Sequence, residues 1–201
     1  MKPLTPDDLI PPAEYERLRE GFRREIIALK RRRRLAVGDR VTLLFENRAT
    51  VRFQVLEMIR AERIFDPVKV REELEVYNAL LPEEGELSAT LFIEITEQDR
   101  IKAELDAFQG IDRGNGVALR AGGETLIAEF EAGHSKEDKL SAVHFIRFRT
   151  TPAFVRALEA EDRPVTALVQ HPHYRAEVPV PAALRGQWLA DLGLPVPSWA
   201  E

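Results

Sequence analysis

The apolar residues of this chain change period near residue 86, and that change narrows the folds open to it. From Glu14 to about Arg34, the residues Tyr15, Leu18, Phe22, Ile26 and Leu29 recur at steps of three and four, one stripe of a long amphipathic helix. A short apolar strand, Val41 to Glu46, interrupts the helical pattern. Asn47 then caps a second helix running to about Phe65, with Val51, Val55 and Met58 on one side. Asp66-Pro67 restarts a third helix whose Val70, Leu74, Tyr77 and Leu81 share a face and which stops at Pro82.

Beyond that point strands dominate. Leu87 to Ile95 alternates cleanly, with Leu87, Ala89, Leu91, Ile93 and Ile95 on one side and Ser88, Thr90, Phe92 and Glu94 on the other. Thr96 and Asp99 resemble a capping box for a helix carrying Ile101, Leu105 and Phe108 and ending at Gly110. Asn115-Gly116 and Gly122-Gly123 are turn signals around the runs Val117–Arg120 and Thr125–Phe130, a hairpin pattern. A polar loop, Glu131 to Lys139, precedes a strand from Ala142 to Arg149 and a helix from Pro152 to about Ala160. Val165–Gln170 and Arg175–Val180 read as further strands, and a helix near Ala182–Asp191 closes the pattern. Helices first and hairpin-linked strands later predict an α+β fold. It is a mainly antiparallel sheet with N-terminal helices packed against it, rather than a βαβ winding.

A chain of 201 residues suits one domain, here 1–201, with 1–12 and 193–201 as extended tails. There is no cysteine, which excludes disulfides, thiolate catalysis and cysteine-held zinc or iron–sulfur centres. No apolar leader and no membrane-length apolar run is visible, so the expectation is a cytoplasmic protein without membrane contact. The net charge of −5 hides an asymmetry. Residues 1–40 carry eleven Lys/Arg against seven Asp/Glu, a balance of +4 that leaves −9 for the rest. Such a chain is a poor nucleic-acid binder, and any basic surface must be local.

Three groups of residues have the chemistry of a site. Arg31, Arg32, Arg33 and Arg34 form a candidate anion patch, against the plainer reading of cations at a helix C-terminus. No aromatic residues interleave with them as a base-stacking platform requires. His171 and His173 flank Pro172, and in an extended chain both rings could reach one divalent metal. His144, His134 or Glu57 could complete that ligand set, although proline between the histidines fits a bend equally well. His144 shares its strand face with Ala142, Ile146 and Phe148, the setting of a half-buried, hydrogen-bonded histidine. The third group is a polar cluster of Arg52, Gln54, Glu57 and Arg60 on the second helix, with His144 as a further member. A carboxylate flanked by guanidiniums favours ion pairing or anion binding over general-acid work. The glycine spacings match no nucleotide loop, and Ser88, Ser135 and Ser141 lack a nucleophile elbow.

Several stretches together carry a resemblance. They are Leu44 to Arg48 with Gln54 and Glu57-Met58, Tyr77-Asn78 with Pro82, Glu86 to Leu91 with Ile93-Glu94, Ser141 to Phe145, and His171-Pro172 with Tyr174. In that order the chain resembles, over nearly its whole length, an uncharacterised bacterial domain-of-unknown-function family. The resemblance implies a bacterial protein with an accessory role in redox or oxidative-stress metabolism, beside rubrerythrin-like and iron–sulfur electron-transfer proteins. The leading expectation is a non-enzymatic binding protein, a homodimer with an apolar two-fold patch along the first helix, or the partner of another protein. The alternative is a small-molecule or metal-dependent enzyme using Glu57, His144, His171 and His173, with Arg52 or Arg60 holding an anionic ligand.

Overall fold

A computed structural model describes residues 1–131 and 140–200, and among these the chain forms six α-helices and nine strands. In chain order they are α1 (Pro12–Arg33), β1 (Arg34–Val37), β2 (Val41–Phe45), α2 (Arg48–Glu62), α3 (Pro67–Asn78), β3 (Glu86–Ile93), α4 (Ile101–Ala107), β4 (Val117–Ala121), β5 (Glu124–Ile127), β6 (Glu129–Phe130), β7 (Val143–Arg149), α5 (Pro152–Glu159), β8 (Val165–His171), β9 (Tyr174–Pro179) and α6 (Ala182–Asp191). The fold is α+β, with helices α1 to α3 ahead of most strands. The strands form two antiparallel sheets rather than one, ordered β1-β2-β3-β7-β6 and β5-β4-β8-β9.

The alternation in β3 explains how these layers stack. Leu87, Ala89, Leu91 and Ile93 point between the sheets, where they join Leu43, Phe45, Leu119, Val169, Phe148 and Trp188 in the main core. Ser88 and Thr90, on the other face, are buried too, because α2 and α3 cover that side. Their hydroxyls find partners there: Ser88 donates to the Leu80 carbonyl at 2.5 Å and Thr90 to the Glu46 carboxylate at 2.7 Å. A second core lies among the helices, built from Val51, Val55, Ile59, Ile64, Leu74, Leu80 and Leu81. The N-terminal segment closes this core. Leu4 is buried within it, and its backbone pairs with the Asn78 side-chain amide through two hydrogen bonds.

Capping chemistry places the helices. The Asn47 side chain accepts from the Ala49 and Thr50 amides at the start of α2, and Asp66 accepts from the Val68 amide ahead of Pro67. Thr151 does the same for α5. Thr96 does not cap the helix ahead of Ile101; that segment opens with a 3-10 turn, Gln98–Arg100, with no side-chain cap.

Two elements depart from the sequence pattern. The residues between the first helix and the strand at Val41 form a further strand that the sequence pattern did not mark. The helix stops at Arg33, and Arg34 begins β1, whose Leu35 and Val37 alternate into the core opposite β2. The run Thr125–Phe130 is not one strand of one sheet. At Ala128 it passes from β5 to β6, with the Ala128 amide bonded to Val117 in one sheet and the Glu131 amide to Phe145 in the other. At the opposite corner Tyr174 joins the sheets: its hydroxyl donates to the Val37 carbonyl at 2.6 Å and accepts from the Arg40 amide at 3.2 Å. Gly38 permits this approach. Its φ is +76°, and a Cβ there would stand 2.1 Å from the Tyr174 oxygen.

Candidate functional site

Most of the predicted polar cluster lies along the antiparallel seam between α1 and α2. Arg52 stacks over the Phe22 ring at 5.5 Å and donates to the Asp8 carbonyl at 2.5 Å. Glu57 accepts a two-pronged pair of bonds from Arg19, both 2.8 Å, and a third from the Tyr15 hydroxyl at 2.7 Å. Arg60 grips Glu16 in the same forked manner, at 2.7 and 3.1 Å. As numbers rise along α2 the partners fall along α1, from Phe22 through Arg19 to Glu16, so this ladder registers the two helices.

The electrostatics follow from the partners. The Arg19 guanidinium holds the Glu57 carboxyl below its usual range, overcoming the opposing effect of burial, and the Tyr15 bond adds to it. Burial first, and the Glu57 carboxylate second, push the Tyr15 phenol well above its ordinary value, so it remains a donor. A carboxylate held this way is ionised and fully occupied, which suits a helix clamp rather than a proton-transfer group.

Gln54 and His144 lie elsewhere. Gln54 donates to Glu46 at 3.2 Å beneath α2. Glu46 is 1% exposed, and its carboxylate also accepts from Thr50 at 2.5 Å and Thr90 at 2.7 Å. The sequence pattern gave Glu46 no role, because it reads as the polar end of a strand. His144 is buried on the inner side of β7, with Nε2 2.8 Å from the Ser141 carbonyl and its ring edge-on to Phe130. The carbonyl requires a donor, so Nε2 carries the proton.

His171 and His173 sit at a tight β8–β9 hairpin in which Pro172 and His173 form the turn and His171 pairs with Tyr174. The buried His171 ring stacks on Phe108, its Nδ1 accepts from the His173 amide at 3.3 Å, and Nε2 contacts the Gln109 carbonyl at 3.0 Å. Both ring nitrogens are therefore engaged within the chain. Among the described residues, no three of His, Asp or Glu gather where they could hold a metal ion. His134 and Ser135 lie outside the described residues.

The arginine run divides. Arg31 and Arg32 are exposed on the last turn of α1. Arg34 lies over the Phe92 ring and 3.9 Å from Glu94. Arg33 is fully buried, donating to the Phe45 and Glu46 carbonyls and pairing with Asp191 at the end of α6. Burial raises the Asp191 carboxyl above its usual value in spite of that guanidinium.

Beside the charged ladder lies a groove that no polar motif could reveal. A cavity of about 340 Å³ is lined by Ile10, Pro12, Ala13, Leu56, Ile59 and Phe65, with Tyr15, Glu16 and Arg60 on its wall. It continues into a second hollow of about 290 Å³ that shares Ile10, Pro12, Ile59 and Phe65 and adds Leu9, Ile64 and Val70. Phe65 is 70% exposed at its lip. One sequence signal was available: Phe65 precedes the Asp66 cap and Val70 follows four residues after it, the spacing of a hydrophobic staple. Here both residues line the hollow.

No helix among the described residues is long and apolar enough to cross a membrane. No curated protein matches the chain. A crystal structure described as a novel protein of unknown function from Burkholderia pseudomallei K96243 is similar to it, at 32% sequence identity and a TM-score of 0.87. That match covers 95% of this chain and 100% of the other. The family model for "Protein of unknown function (DUF3501)" matches residues 3–192, and with nearly the whole chain inside that match, the protein belongs to the DUF3501 family.

Proposed function

We propose that the protein is a non-enzymatic binding protein, an accessory factor that holds a partner protein by its helical layer. The apolar groove carries this reading. Groups that sequence alone offers to catalysis are engaged internally: Glu57 by Arg19 and Tyr15, Arg60 by Glu16, His171 by Gln109 and the hairpin turn. The groove, in contrast, presents Ile10, Pro12 and Phe65 around an open hollow. Apolar concavities with exposed aromatic lips are where partner side chains gain most from leaving water.

The family resemblance suggests that the partner is a redox protein. On this reading the chain contributes docking, since with no cysteine it has no thiolate for a cluster or for disulfide exchange. Ala13 is exposed in the first turn of α1 and lines the groove, so Ala13→Arg blocks it without touching the core. Immobilised wild-type protein in native bacterial lysate should retain redox proteins that the Ala13→Arg protein loses. Retention of the same set by both proteins, or of nothing by the wild type, would defeat the reading.

A further inference from the structure

The outer face of α3 has unsatisfied apolar and charged groups in a self-complementary order. Its inner face, Val70, Leu74 and Tyr77, packs on the helical core. Opposite lie Val68, 53% exposed, and Val76, 66% exposed, with Phe65 before the helix and the exposed Ala79 after it. At helical spacing Phe65, Val68, Glu72, Val76 and Ala79 form one stripe. Lys69 and Glu73 flank it on one side, and Arg71 and Glu75 on the other.

None of Lys69, Arg71, Glu72, Glu73 and Glu75 takes part in an ion pair with a described residue. At the neighbouring α1–α2 seam, in contrast, Arg19 pairs with Glu57 and Arg60 with Glu16. Within α3 the cation precedes the anion at both i,i+4 spacings, the less favourable order on a helix.

We propose that α3 is a self-association surface, on which a second copy of this chain packs antiparallel about a two-fold axis near Glu72. Turning one α3 end over end places Val68 against the partner copy's Val76, and Phe65 over its Ala79. On one flank Arg71 meets Glu75 of the second copy, and on the other Lys69 meets Glu73. Symmetry repeats every contact, so four ion pairs border one apolar seam. The two Glu72 side chains lie near the axis and turn toward the lysines and arginines beside them. Helix α3 is about 18 Å long, so the contact belongs to the small, concentration-dependent class of interfaces. This inference does not depend on the groove having an occupant.

Charge exchange tests it. Lys69→Glu with Arg71→Glu gives an acidic α3, and Glu73→Lys with Glu75→Lys gives a basic one. All four positions lie away from the core, and thermal unfolding of each variant checks that it folds. Sedimentation equilibrium should show the wild type dimerising, each variant weaker in self-association by about tenfold or more, and an equimolar mixture of the two regaining the dimer. A monomeric wild type at high concentration, variants that dimerise as tightly as wild type, or a mixture that stays monomeric would each overturn the proposal.

Discussion

Arg33 at the end of α1 is bonded to two distant segments at once: the end of β2 through the Phe45 and Glu46 carbonyls, and the end of α6 through Asp191. Removing one member of a buried ion pair strands the other, at a cost of about 3–5 kcal/mol. Arg33→Met should lower stability by that order in urea unfolding, whereas Arg33→Met with Asp191→Leu should cost clearly less than the two single changes added together. Glu57 acts differently. Its carboxyl is held below the ordinary range by Arg19, so its contribution is fully present above pH 4.5 and is lost as pH falls through the depressed value. The urea midpoint of the wild type should therefore fall toward that of Glu57→Gln on acidification, and a gap that stays constant with pH would refute the assignment. At this scale the sequence was partly legible. The helical spacing of Glu57 and Arg60 marked an ion-pair surface, but their partners Arg19, Tyr15 and Glu16 lie some forty residues away and depend on how α1 packs. Arg33 was hidden in a run of four like residues, because only the start of β1 determines which one turns inward.

Helix ends show how local chemistry and tertiary contact divide the work. The N-termini of α2, α3 and α5 were read from Asn47, Asp66-Pro67 and Pro152, since such start signals act within their own turn. The chain at the C-terminal ends of α3 and α5 depends on distant arginines. Arg185 in α6 donates to the carbonyls of Ala157, Leu158 and Ala160 at the end of α5, and Arg147 in β7 donates to those of Ala79 and Leu81 beyond α3. Arg185→Met should cost about 2–3 kcal/mol and should alter the fluorescence of Trp199, whose ring lies 4.3 Å from the guanidinium. Unchanged stability would show that water serves those carbonyls equally well. Strand β1 was missed because four residues between an arginine run and a glycine carry little periodicity. Its place is set by pairing with β2 and by the approach of Tyr174 to Gly38. Gly38→Ala should destabilise by more than about 1 kcal/mol, and Tyr174→Phe should restore only part of the loss, since the positive φ remains.

For the molecule as a whole, the α+β class followed from the order of the periodicities, but the division into two sheets did not. The alternation in β3 identifies its two faces without saying that one meets a second sheet and the other meets helices. The apolar groove was nearly as hidden, because the N-terminal segment and the α2–α3 junction that form it are far apart in sequence, and only the Phe65–Val70 staple spacing marks it locally. The passage of the chain at Ala128 has a consequence for motion. One backbone run donates hydrogen bonds to both sheets, and Tyr174 closes the opposite corner, so neither sheet can detach while the other persists. Amide protons of β3 in one sheet and β8 in the other should therefore exchange with deuterium at a common slow rate, released together when the chain opens as a single unit.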